Sequence, residues 1–439
     1  MKIVLVNVAT DSNRGACALT WAALELVFEA FPGASVAIVP IAVTPPEAAP
    51  FRHTARRYPN VEILQPLFDG EGKRPFALLW RLAGRLGEIL RFDRERRNRN
   101  PTLEWIRNCD LAVSIGGVNF ETCGGTMRDD ARSVIRMLPL LATRRIGVPS
   151  ILVGAQVGPF RTRLGGRLFR WCAAKAATVF PRDRVSASEV QTRAAHLRSI
   201  LMPDSAFALR FSPAGVNELF KRRGIDTSAT TLALVISSAL RSDERRDAHV
   251  TLFTRVARRL IESGLVTQTV VVIQSDEDRP ISLDLARSLQ LDPRFLIDDD
   301  LDPSQLSNLY GACRMVISSR LHGVILSLLA GMPAISLAPE VTFKEHALLE
   351  LVGLESLCVP TRMGPDRAAE ICLNIALQED LQRDAVVTAV SAAHSKLSEV
   401  PRHLREVVVN SLTAVSSRTA GRTDDEEPLA VSPAPTAFP

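Results

Sequence analysis

The chain has 439 residues, too many for one ordinary domain, so two are expected. Hydrophobic residues make up 46% and charged residues 23%, which excludes a disordered chain and allows large buried cores. The net charge of +5 is spread thinly, so acidic partners fit and a nucleic-acid binder does not. The seven cysteines are an odd number with no C-x-x-C pair, which points to reduced thiols and away from a zinc site; no metal is expected. Lys2 runs straight into Ile3-Val4-Leu5-Val6 without a leader, and no apolar run approaches a membrane span. The expected location is the cytoplasm, extending to the inner face of the membrane.

The first strand is read over 2–8 and is followed by a polar loop with Asp11, Ser12, Asn13 and Arg14. A helix over about 16–31 comes next, with Leu19, Ala23, Leu26 and Val27 on one face, and then a strand over 35–40. Strand, loop, helix, strand is the opening of a doubly wound sheet. Residues 44–60 read as an ill-defined insertion. Residues 77–99 carry an apolar stripe beside seven arginines and three acids. An amphipathic helix with a solvated basic end is preferred there over a membrane-surface or acidic-partner helix.

Strands over 111–115, 150–154, 177–181 and 200–202 follow. Each is succeeded by a glycine-containing or polar loop: Gly116, Gly117 and Asn119; Gln156, Gly158 and Pro159; Arg182 and Asp183; Asp204 and Ser205. Polar loops after successive strands on one sheet edge make a ligand crevice. Composition shifts over 212–229, where the domain boundary is placed. Alternation restarts with strands over 231–237, 269–274, 295–297, 315–317, 334–337 and 357–360. Residues 368–415 read as helical with a break near Pro401, and 416–439 as a disordered tail. The expected domains are 1–211, on the acceptor side, and 230–415, on the donor side, with the last helices packing back on the first domain.

The most informative stretch is MVISSRLHGVILSLLAGMPAISLAP, from Met315 onward. It reads as strand, helix, strand, with Ser318 or Ser319 as the N-cap choice and Gly331 as the stop. Arg320 and His322 sit in the first helical turn, directly after a strand's carboxyl end, where a helix N-terminus already favours anions. Arg320 pairing with a nearby acid, and His322 merely capping, are the plainer readings. Asp183 and Asn13 could equally be N-caps, Asp204 an Asx turn, Gly116 and Gly117 a tight turn, and Lys344 simply solvated.

Several motifs resemble one family in order along the chain. They are NRGACALT from Asn13, SIGGVNF from Ser114, GAQVGPF from Gly154, PRDRVSAS from Pro181 with PDSAF from Pro203, SSRLHGVILSLLAGMPAISLA from Ser318, and Lys344 in FKEH. Together they are similar to the polysaccharide pyruvyl transferases. Ala16 and Cys17 stand where family members often carry an acid, and Val118 where many have a third glycine. The resemblance implies two Rossmann-like domains in a glycosyltransferase-B-like arrangement with an active-site cleft between them. It implies transfer of a pyruvyl group from phosphoenolpyruvate, the donor substrate and not a cofactor, to hydroxyls of a sugar or lipid-linked glycan, usually as a ketal.

That chemistry asks for groups that hold a phosphate and a carboxylate, a proton for C3 of the enol, and a base for the acceptor hydroxyl. His322 is the candidate acid, because its ordinary pKa suits the task, and Asp183 or Asp204 the candidate base. Ser319, Arg320, Lys344, Asn13, Gly15, Gly116, Gly117, Asn119, Gln156 and Arg182 are the candidate binding residues. A nucleotide-sugar glycosyltransferase of the same fold and a non-catalytic relative remain as alternatives. No phosphate loop of the Walker or G-x-G-x-x-G kind stands in context, which disfavours nucleotide hydrolysis and dinucleotide binding. A peripheral contact with the membrane surface is carried as an expectation.

Overall fold

A computed structural model describes residues 1–41, 50–68, 75–92, 100–122, 125–212, 216–238, 243–337 and 344–420. The first domain is built on β1 (Lys2–Val8), β2 (Ser35–Pro40), β3 (Glu62–Ile63), β4 (Leu111–Ser114), β5 (Gly117–Thr122), β6 (Ser150–Phe160), β7 (Ala176–Pro181) and β8 (Arg198–Ser199). Their order is β3-β2-β1-β4-β6-β7-β8, with β5 also paired to β6. The second domain uses β9 (Thr231–Val235), β10 (Gln268–Val272), β11 (Leu296–Ile297), β12 (Met315–Ser318) and β13 (Ala334–Ser336), ordered β11-β10-β9-β12-β13.

Every pairing between these strands is parallel. Parallel strands covered by helices on both faces are mostly apolar, which is why β1 and β9 carry aliphatic runs (residues 3–6 and 232–235) and are almost wholly buried, Asn7 being a polar exception in β1. In each sheet the order turns back beside its first strand, between β1 and β4 and between β9 and β12. Those carboxyl-end crevices are the switch points at which α/β proteins bind ligands. The expected architecture, two doubly wound domains in a glycosyltransferase-B-like arrangement, is the one observed.

One buried apolar cluster runs from the helix Arg14–Ala30 through the second domain into the C-terminal helices, and another fills the opposite face of the first sheet. The last helix, Val400–Ala420, lies against Arg14–Ala30, and Arg405 donates to the carbonyls of Glu29 and Ala30.

Several local expectations need correction. The insertion read over 44–60 contains a helix, Arg52–Arg57, with His53 and Thr54 buried; residues 42–49 lie outside the described residues. The loops expected after Gly117 and around Gln156 are largely strand, because β5 and the long β6 pair with each other. The segment expected as a strand over 357–360 is a 3-10 turn, Glu355–Leu357, followed by a single bridge from Ser336 to Cys358. The boundary expected over 212–229 holds the helix Val216–Arg223. Arg223 pairs with Asp298 and Asp299, so this helix is tied to the second domain. The basic helix read over 77–99 is Pro75–Leu90, and residues 93–99 lie outside the described residues. The last helix continues to Ala420, into the segment expected to lack structure, and 421–439 lie outside the described residues.

Candidate functional site

The loop after β1 touches the second domain. Asn13 and Ser275 form an antiparallel bridge, and the Arg14 amide donates to the Gln274 carbonyl at 3.2 Å. The Arg14 guanidinium is buried and spans the seam, donating to the carbonyls of Asp11, Ser12 and Leu301 and, at 2.9 Å, to Asp300. Asn13 is the N-cap of the following helix; its side-chain oxygen accepts from the Gly15 and Ala16 amides. Gly15 is the point of closest approach. A Cβ there would stand 2.6 Å from Cβ and Nδ1 of His322, so the absence of a side chain lets the histidine ring pack on the first domain.

On the other side of His322 lies a chain of buried polar groups in the first domain. His322 Nε2 is 3.8 Å from Oδ1 of Asp204, too far for a hydrogen bond, and is buried without a hydrogen-bond partner. Asp204 accepts from Arg182 Nη1 at 2.8 Å through Oδ2 and from the Ala206 amide at 3.0 Å through Oδ1. Arg182 Nη2 donates to the Gln156 side-chain oxygen Oε1, and Gln156 Nε2 donates to Glu121 at 3.0 Å. Arg182 and Asp204 are almost fully buried. Burial alone would raise the pKa of Asp204. His322, Arg182 and the Ala206 amide outweigh it and hold the carboxyl below the usual carboxylate range. An ionised carboxylate therefore faces the imidazole edge at 3.8 Å.

The second-domain wall is arranged differently. The helix Leu321–Leu329 takes Arg320 as N-cap residue, not Ser319, and the Ser318 hydroxyl accepts from the Arg320 amide at 2.9 Å. The Arg320 fork is closed by acids: Nε donates to Asp278 at 2.7 Å, and Nη2 donates to both Asp278 and Glu277. An incoming anion would thus meet Arg320 as one member of a neutralised group, not as an open cation. The plainer reading of this residue is the one the structure gives. Ser319 is turned inward; its hydroxyl accepts from the Ser237 amide at 2.9 Å and lies 3.0 Å from His249 Nε2. Burial lowers the pKa of His249 to about 4.

The remaining candidates have local partners. Asp183 caps the helix Arg184–Ala194, accepting from the Ser186 amide at 2.7 Å and the Ser186 hydroxyl at 2.9 Å. Lys344 opens the helix Lys344–Leu351, with Nζ 3.9 Å from Glu345. Gly116 lets two backbones touch, since a Cβ there would stand 2.6 Å from the Gly154 carbonyl, and Gly117 has φ of 124°, a conformation that favours glycine. Asn119 lies in β5, and its side chain is outside the description. The structure therefore joins Gly15, Gln156, Arg182, Asp204 and His322 by direct contact.

Sequence reasoning missed Glu121, Asp278, His249 and the seam role of Arg14. Glu121 and Arg14 sit beside motif residues and could have been suspected. Asp278 and His249 come from distant helices and carry no local signal. Among the described residues no group of three His, Cys, Asp or Glu side chains could hold a metal ion, and no helix is long and apolar enough to cross a membrane.

Comparison with known proteins agrees with this fold. A putative UDP-N-acetylglucosamine 2-epimerase from Listeria monocytogenes superposes with a TM-score of 0.57 at 13% identity, covering 98% of this chain and 99% of that one. The UDP complex of MnaA from S. aureus gives 0.56 at 11% identity, with 95% and 97% covered. These likenesses concern the fold alone. The amylovoran biosynthesis protein AmsJ of Erwinia amylovora is 23% identical over 267 residues, 57% of this chain and 61% of that protein. The chain thus spans about three fifths of the length of that relative. The family model described as polysaccharide pyruvyl transferase matches residues 13–340, three quarters of the chain, from the Asn13 cap past the helix carrying His322. The chain belongs to the polysaccharide pyruvyl transferase family.

Proposed function

We propose that this protein transfers a pyruvyl group from phosphoenolpyruvate to hydroxyls of a sugar in a polysaccharide or envelope glycan, forming a ketal. The observation that carries this reading is the seam itself: a histidine on a helix N-terminus of one domain, backed by an ionised buried carboxylate of the other. Protonation of the donor at C3 develops positive charge at C2. An acceptor hydroxyl attacks C2, the C2–O bond to phosphate breaks, and a second hydroxyl closes the ring. His322 supplies the proton or assists the departing phosphate, and Asp204 faces the imidazole edge from the other domain. Asp204 is already held by Arg182, so it acts on the histidine and not as an independent base. The amides at the start of Leu321–Leu329 and Lys344 offer positive potential to the donor's two anionic groups.

The test uses the purified chain with phosphoenolpyruvate and glycan fragments as acceptors, reading released phosphate and the mass of the product. Phosphate release with a product heavier by one pyruvyl ketal is expected. Thermal-shift measurements run in parallel, because a ligand that binds only the folded state raises its melting temperature. Stabilisation by nucleotide sugars with none by phosphoenolpyruvate would overturn the reading in favour of a nucleotide-sugar transferase.

A further inference from the structure

Outside the seam, one outer surface of the first domain has a composition that neither the fold nor the chemistry requires. The helix Arg163–Ala173 follows β6 directly, so it starts on the sheet edge that carries Gln156. Its inner side is packed: Gly165, Gly166, Phe169, Cys172 and Ala173 are buried. Its outer side pairs cations with large apolar groups. Leu164 is 49% exposed and Trp171 is 40% exposed. Residues 161–175 contain Arg161, Arg163, Arg167, Arg170 and Lys175 and no acid.

The neighbouring elements extend this face. The helix Met127–Ile146 packs beside it and brings Arg144, whose guanidinium lies 5.0 Å over the Trp171 ring. The other side of Met127–Ile146 meets Pro75–Leu90, where Trp80 is 69% exposed and Arg81 is exposed beside it. Two acids beside the helix are engaged: Asp130 accepts from the Thr162 hydroxyl, and Glu189 pairs with Arg193.

A solvated basic helix would not also expose tryptophan and leucine between its arginines. Arginine and tryptophan are also common in protein interfaces, so it is the acid-free run of five cations over residues 161–175 that favours an anionic surface. Arginines flanking exposed Trp and Leu on an amphipathic helix match an anionic bilayer surface. The cations meet lipid headgroups, the indole rings sit at the interface, and the leucine reaches the acyl boundary. We propose that the outer face of Arg163–Ala173, with Trp80 and Arg81 alongside, docks this protein on an anionic membrane surface. The helix begins just past the end of β6, so docking by this face brings the domain that carries Gln156, Arg182 and Asp204 to the bilayer. A lipid-linked acceptor could then reach the seam without leaving the membrane; that last step rests on the pyruvyl-transfer reading, while the docking does not.

The experiment is vesicle co-sedimentation of the full chain. Vesicles of phosphatidylcholine alone are compared with vesicles containing about a third phosphatidylglycerol, at about 0.1 M salt. Retention on the anionic vesicles only is expected. The triple reversal Arg163→Glu, Arg167→Glu, Arg170→Glu is expected to lower partitioning about a hundredfold or more. The pair Leu164→Ser, Trp171→Ser is expected to lower it about tenfold with charge unchanged. A control reversal on the second domain, Arg255→Glu with Arg258→Glu, is expected to leave retention near the parent value. Circular dichroism melts verify that each variant is folded. Failure of the parent chain to sediment with anionic vesicles would overturn the proposal, as would equal loss in the control reversal. Binding to a soluble polyanion such as heparin without binding to vesicles would overturn it too. None of these readouts depends on turnover, so loss of the docking proposal and loss of the activity reading can be told apart.

Discussion

The two walls of the seam treat their arginines in opposite ways. In the first domain Arg182 is buried, and its partners lead toward the seam: Glu121, Gln156, Arg182, Asp204, then His322. In the second domain Arg320 is paired with Asp278 and Glu277. A buried arginine with one well-matched carboxylate can hold a charge in place at the cleft. An arginine with two carboxylates is electrostatically finished and serves to fix a helix start. The difference teaches that position in a motif does not fix the role of a charge; the acids that reach it do.

The comparison is most sharply tested at His322. His322→Ala should lower phosphate release by about 10²–10⁴-fold with an unchanged circular dichroism spectrum. Normal turnover would remove the histidine from the mechanism. Next in size is the contrast between the two carboxylates. Asp204→Asn leaves Arg182 buried with a weakened partner and should cost about 3–5 kcal/mol in urea unfolding. Asp278→Asn leaves Glu277 on a partly exposed Arg320 and should cost less, about 1–2 kcal/mol. Equal costs would erase the distinction between the two walls.

A pH measurement separates the walls further. The pKa of His249 is lowered to about 4 in the folded chain from an ordinary 6.5, so the unfolded chain takes the proton first. The stability tied to His249 is therefore complete above pH 6.5 and is lost as the pH falls from there toward 4, by about 3 kcal/mol in all. Asp204 acts in a lower window. Its carboxyl is depressed, so its contribution stands above its unfolded pKa, near 4, and is lost only as the pH falls below that. Urea midpoints taken from pH 7 to pH 4 should thus decline for the parent chain and stay flatter for His249→Phe. The same slope in both would show that His249 is not the group being titrated. The smallest effect is steric. Gly15→Ala pushes a methyl group into the His322 ring and should cost about 1–3 kcal/mol of stability, and turnover should fall by more than that loss of folded protein explains.

The alternation of apolar runs with helical stripes was legible because parallel strands buried on both faces are mostly aliphatic, and this pattern led to both sheets. The errors fall where burial is partial. β5 was read as loop because its glycine, asparagine and glutamate look like turn residues, yet pairing with β6 satisfies its backbone. The helix Arg52–Arg57 was hidden because six residues give too short a period to read.

The alternation, the two switch-point loops and the arginine and histidine at a helix start can be read from the residues alone, because these follow from spacing within a few residues. What those residues do is set by packing between distant segments. Asp278 comes from 42 residues before Arg320 and closes its fork, while Asp204, 118 residues before His322, faces its ring from the other domain. Gly15 meets the same ring from near the opposite end of the chain. A charge takes its function from the charges and dipoles within a few ångströms, and those neighbours are set by how the domains pack.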